Sequence, residues 1–134
     1  MPKPQIEIPR YFAMQVNGHA RGKDNFLCVC IPNDGDAPNE KAVAMFTRKD
    51  DARRFIEMHE LTDCAPAFAG NRELRTWLTE CAKNRARWAV INFRNEARFE
   101  MVKSFRITDA IAAINSAAVE SEEPILVEAH TLML

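Results

Sequence analysis

The stretch Ala42-Val-Ala-Met-Phe-Thr-Arg-Lys-Asp-Asp-Ala-Arg-Arg-Phe-Ile-Glu57 changes its hydrophobic period halfway through. Ala42 to Phe46 is an unbroken apolar run of strand length. After Thr47 the spacing becomes helical, with Ala52, Phe55, Ile56 and His59 at i, i+3, i+4 and i+7. Thr47 reads as a cap, with Asp50 three residues on in the manner of a short-armed capping box. Asp50 and Asp51 precede Arg53 and Arg54, the order that a helix dipole favours. The pattern predicts a strand that runs directly into a helix over Lys49–Glu60. That junction places the chain among mixed α/β folds.

Downstream, Thr62 to Gly70 reads as a connection. Asn71 reads as the cap of a second helix whose apolar stripe is Leu74, Trp77, Leu78, Cys81 and Ala82. Trp88 to Phe93 is apolar enough for a central strand buried on both faces. Arg98 to Phe105 alternates as another strand. Thr108 reads as the cap of a third helix, with Ala110, Ile111 and Ile114 facing inward, and Pro124 closes that unit. Ile125 to Leu134 reads as one last strand. Upstream, Arg10 to Val16 and Phe26 to Ile31 read as strands joined through Gly18 and Gly22, and Pro32 stops the second. Residues 1–9, with prolines at 2, 4 and 9, read as an extended N-terminal arm. The expected order is β-β-β-α-α-β-β-α-β. It describes a single domain over 1–134, with one mixed sheet of about six strands and three helices.

The chain has 134 residues, which suits one domain with its own core. A net charge of −1 gives no overall attraction to nucleic acid or anionic membrane. The charge is uneven: residues 41–110 hold 14 Lys or Arg against 10 Asp or Glu, whereas 111–134 hold four Glu and no base. The acidic end is expected to lie near the basic middle. No apolar run reaches the ~18 residues of a membrane span, and the N-terminus has no signal-peptide core. A cytoplasmic location with reduced cysteines is the expectation.

Cys28 and Cys30 are the first chemical candidates. On a strand, i and i+2 lie about 6.6 Å apart. Two sulfurs on one zinc need about 3.8 Å, and a disulfide needs Cβ atoms about 4 Å apart. The pair therefore reads as small apolar filler, as does Cys81 within its helical stripe. A thiol- or metal-dependent alternative would draw on Cys28, Cys30, His59 and Cys64. Cys64, read as lying in a loop, is the thiol least embedded in an apolar pattern. His59 suits a helix C-terminal end. Asp34, Asp36 and Glu40 are too few for a calcium loop. No CxxC, HExxH, GxSxG or glycine-rich phosphate loop occurs. No catalytic residue, metal or cofactor is assigned. Lys83, Arg85, Arg87, Arg94 and Arg98 are interleaved with Trp88, Phe93 and Phe99. A weak nucleic-acid-binding alternative rests on them, against the reading that the aromatics face the core.

Taken together, Ala42–Glu57 and Leu74–Phe93 make the chain similar to the SseB-like N-terminal domain family. The positions that carry the resemblance are Phe46, Thr47, Ala52, Phe55, Leu78, Val90, Asn92 and Ile111, within about residues 26–118. Phe93 follows Asn92 where the family pattern has Pro. The resemblance implies a small α/β module with no established catalytic residue. The expected function is a non-enzymatic protein-binding or assembly module. Its expected contact residues are Arg53, Arg54, Arg72 and Arg75 on a basic helix edge, and Leu132 and Leu134 on the C-terminal strand. The terminal Thr-Leu-Met-Leu packs on its own domain or pairs with another chain, so a homodimer is among the expected partners. Nucleic acid is the disfavoured partner, and no membrane is expected.

Overall fold

The computed structural model describes residues 4–15, 28–31, 40–94, 100–117 and 123–134. The elements are β1 (Gln5–Glu7), β2 (Tyr11–Gln15), β3 (Cys28–Ile31), β4 (Glu40–Phe46), α1 (Lys49–Met58) and β5 (Cys64–Phe68). They continue as α2 (Asn71–Lys83), β6 (Ala86–Ile91), β7 (Met101–Arg106), α3 (Ile107–Ser116), β8 (Leu126–Glu128) and β9 (His130–Met133). A mixed sheet has the strand order β5-β2-β4-β6-β7-β9, and β3 also pairs with β4. Strands β1 and β8 form a separate two-stranded antiparallel sheet. The fold is mixed α and β, as the change of period at Thr47 requires. Among the described residues no helix is long and apolar enough to cross a membrane.

Strand β4 shows why its sequence is apolar on both sides. Val43 and Met45 belong to one core with Leu74, Leu78 and Cys81 of α2 and Ala110 and Ile114 of α3. Ala42, Ala44 and Phe46 belong to a second core with Ala52, Phe55 and Ile56 of α1. Alternate residues of a strand point to opposite faces. Helix α1 therefore covers one face of the sheet, and α2 with α3 the other. Each fully buried large side chain contributes about 1.5–3 kcal/mol, so the two cores dominate stability.

Strands β4 and β6 are parallel neighbours, Val43 opposite Ala89 and Met45 opposite Ile91. Their C-terminal ends are pinned by Asn92. Its backbone N–H donates to the Met45 carbonyl at 2.9 Å. Its Oδ1 accepts from the Thr47 N–H at 3.1 Å, and its Nδ2 donates to Thr47 Oγ1 at 3.0 Å. Asn92 has φ 54°, the left-handed region that asparagine tolerates better than most residues.

The structure departs from expectation at five places. The connection at 62–70 contains β5, which pairs in register with β2 from Tyr11↔Phe68 to Gln15↔Cys64. Pro66 and two alanines hid it, because proline and alanine are poor strand signals away from an edge. The N-terminal arm is extended, and Gln5–Glu7 is strand β1. Ile8 behind it is 1% exposed, with its N–H on the Ile125 carbonyl. The last strand is two strands belonging to different sheets, broken at Ala129, whose N–H turns to the Pro4 carbonyl. The first helix ends at Met58, and Glu60 takes φ 53°. Finally, the helix caps are Arg48, Gly70 and Arg106, none with a side-chain capping bond. Thr47, Asn71 and Thr108 are not the caps, because each helix leaves its extended lead-in one or two residues away.

Candidate functional site

The two edges of the main sheet are built differently. At the β5 edge, the Ala69 N–H donates to the Arg10 carbonyl at 2.7 Å. Hydrogen bonds to a given neighbour alternate along an antiparallel strand. Ala67 and Ala65 thus aim their backbone groups at β2, and Pro66 faces outward. Proline carries no N–H, so the middle of that edge offers no donor.

At the β9 edge, Glu100 and Leu134 exchange both backbone bonds, at 2.8 and 2.9 Å. The same alternation turns Leu132 and His130 toward their β7 partners Val102 and Ser104. Thr131 and Met133 therefore present their N–H and C=O groups outward. Among the described residues no strand pairs with this side of β9. No charge from Lys, Arg, Asp or Glu and no proline interrupts His130–Met133. Beside it, Met133 lies directly across from Met101, and the two are 56% and 61% exposed. The terminal leucines do the opposite: Leu132 and Leu134 are half-buried against the α1-side core.

A polar corner lies at the other end of β6. Glu40 takes Arg87 Nη1 at 2.9 Å on one oxygen and Trp88 Nε1 at 3.0 Å on the other. The Arg106 guanidinium sits 5.4 Å over the Trp88 ring, a cation–π contact, and the His130 ring meets Trp88 edge-on at 5.2 Å. A cavity of about 220 Å³ opens here, lined by Arg85, Arg87, Trp88, Arg106 and Thr108 among others. Arg85 holds φ 69° in the turn after α2. Asp109 in the first turn of α3, Glu128 and His130 also converge nearby. The sequence patterns single out none of Asp109, Glu128 and His130.

The expected site residues fare unevenly. Arg53 and Arg54 are exposed on α1, while Arg72 and Arg75 lie on α2, on the opposite face of the sheet. The four do not make one basic edge, because α1 and α2 answer to opposite faces of β4. Arg53 lies 3.7 Å from Asp50, within its own helix.

Cys28 and Cys30 lie on β3, whose ladder to β4 runs unbroken from Cys28↔Val43 to Ile31↔Glu40. That is the straight backbone on which the spacing argument rests. Cys64 opens β5 and is half-buried, so it is not a loop thiol. Burial, and secondarily the nearby Asp63, push its thiol pKa up. This disfavours the nucleophilic thiolate. His59 caps α1, with its ring 4.3 Å from that of Phe55 and Nε2 3.3 Å from the Arg94 carbonyl. Cys81 is buried in the core as expected. Phe93 packs in the α1-side core, as the core reading of the aromatics expects. Arg98, Phe99, Asp34 and Asp36 lie outside the described residues.

No protein-family model matches the chain, and no curated protein matches it.

Proposed function

We propose that this protein is a non-enzymatic assembly module that works through the open edge of β9, with a second copy of the chain as its partner. The supporting observation is the asymmetry of the two edges. Pro66 blunts β5, whereas Thr131 and Met133 turn four backbone groups toward the side of β9 on which no described strand pairs. A two-fold antiparallel pairing with Leu132 on the axis would set Thr131 against Met133 of the other copy. It would form four backbone hydrogen bonds. At about 0.5–1.5 kcal/mol net each, these offset only part of the association entropy of roughly 4–15 kcal/mol. The exposed Met101 and Met133 supply the apolar remainder. A net surplus of about 7 kcal/mol after these costs corresponds to a weak dimer with Kd on the order of 10 µM. A relation to the SseB-like family is proposed on the sequence positions alone.

The test is sedimentation across a concentration series that brackets that Kd. Wild type should pass from monomer to dimer. Met133→Pro removes one outward N–H per chain and leaves the ladder to β7 intact, so it should stay monomeric. A wild-type chain that stays monomeric throughout, or a Met133→Pro dimer of unchanged affinity, refutes the proposal.

A further inference from the structure

We propose that Asp109, Glu128 and His130 form a binding site for a divalent transition-metal cation. The three come from three elements: the first turn of α3, the end of β8 and the start of β9. Each offers a ligand atom, and these atoms lie within 4.8 Å of one another. All three residues are half-buried, so solvent only partly screens the mutual repulsion of the two carboxylates.

A second observation concerns hydrogen bonding and extends to Ser104, outside the cluster. His130 Nε2 is buried and has no hydrogen-bond partner, and it stands 3.9 Å from Glu128 Oε1, beyond hydrogen-bond reach. The Ser104 hydroxyl is likewise unpartnered, on a residue with 0% exposure. Ser104 sits directly across from His130 in the β7–β9 register, so both side chains leave the same face of the sheet. Unsatisfied polar atoms on two cross-strand neighbours of one sheet face mark a place where a ligand can compensate their desolvation.

A cation at metal–ligand distances of about 2.0–2.2 Å needs its ligand atoms about 3 Å apart. The observed spread of up to 4.8 Å must close by up to about 2 Å, a distance within the reach of carboxylate side-chain rotation. One imidazole with two carboxylates is the donor set of manganese, ferrous iron and zinc. It is too nitrogen-rich for a dedicated calcium or magnesium site and too hard for cuprous ion. Three protein ligands leave coordination positions open to water or a small anion. The site does not compete with the proposed dimer edge, because the His130 backbone faces β7.

The probe is Mn²⁺, which avoids competition from the thiols that zinc would meet. Metal-stripped full-length protein is titrated by calorimetry. One saturable ion per chain is expected, with affinity reduced about tenfold or more in Asp109→Asn and in His130→Gln. His59→Gln should bind as wild type does. Wild-type protein provides a readout that survives a misfolded variant: Mn²⁺ should broaden the His130 imidazole resonances at sub-stoichiometric ratio while sparing those of His59. Absence of saturable binding, unchanged affinity in both ligand variants, or equal broadening at His59 overturns the assignment.

Discussion

Replacing Asn92 separates the two jobs that it performs at the β4–β6 junction. Its backbone sits at φ 54°, and its amide exchanges two hydrogen bonds with Thr47. Asn92→Ala loses both. Left-handed backbone costs a residue with a Cβ about 1–2 kcal/mol, and two exposed hydrogen bonds contribute about 0.5–1 kcal/mol each. The expected loss is about 2.5 kcal/mol. Asn92→Gly accepts the backbone freely but loses the same two bonds and adds unfolded-state entropy, for about 1.5 kcal/mol. Asn92→Asp keeps the acceptor for the Thr47 N–H and a tolerance for this conformation, so it should cost under about 1 kcal/mol. Urea unfolding with a shared m-value reads the three midpoints. The order Ala, Gly, Asp from worst to best is the prediction. Glycine as damaging as alanine would show that the left-handed backbone carries no cost. A harmless alanine would remove both halves of the reasoning.

Arg85 occupies the turn after α2 at φ 69°, where glycine is the usual residue. Arg85→Gly should raise stability by about 0.5–1 kcal/mol, read as a higher urea midpoint, and an unchanged or lower midpoint rejects the strain. The half-buried Cys64 thiol holds its proton more tightly in the folded chain than in the unfolded one. Its contribution to stability is therefore complete below the ordinary thiol range near 9.0 and is lost as pH rises through and above it. Alkylation of native protein followed by mass spectrometry should give Cys64 an apparent pKa above that of the same residue in a peptide, and a value at or below the peptide's contradicts the burial.

The fold was legible wherever one residue set served one face. The helices carry their stripes openly: Leu74, Leu78 and Cys81 are all buried on α2. The doubly buried β4 and β6 appear as apolar runs. What stayed hidden depends on partners distant in the chain. Strand β5 reads as Cys-Ala-Pro-Ala-Phe, which no propensity favours, and it exists because β2 supplies a ladder and its other side is free of any demand for a donor. The basic edge failed for a related reason. Four arginines at similar helical positions imply one surface only if both helices pack on one face of the sheet. Chain order does not say which face each helix takes.

The candidate metal cluster turns on the same geometry as the cysteine pair and comes out the other way. Cys28-Val29-Cys30 and Glu128-Ala129-His130 share an i, i+2 spacing. On a continuous strand that spacing sets the Cα atoms about 6.6 Å apart, too far for two short cysteine side chains to share an ion without bending. Strand β3 is continuous through Val29. The second segment changes sheets at Ala129: Glu128 ends β8 in the small sheet, His130 opens β9 in the large one, and the Ala129 N–H is given to the Pro4 carbonyl. With longer side chains than cysteine, Glu128 and His130 bring Oε1 to 3.9 Å from Nε2. The inference thus makes a structural demand beyond the ligands. Pro4 must hold Ala129 at that corner, so deleting residues 1–4 should weaken Mn²⁺ binding although Pro4 is outside the ligand set. Equal affinity in the truncated chain would show that the corner is set by β8 and β9 alone.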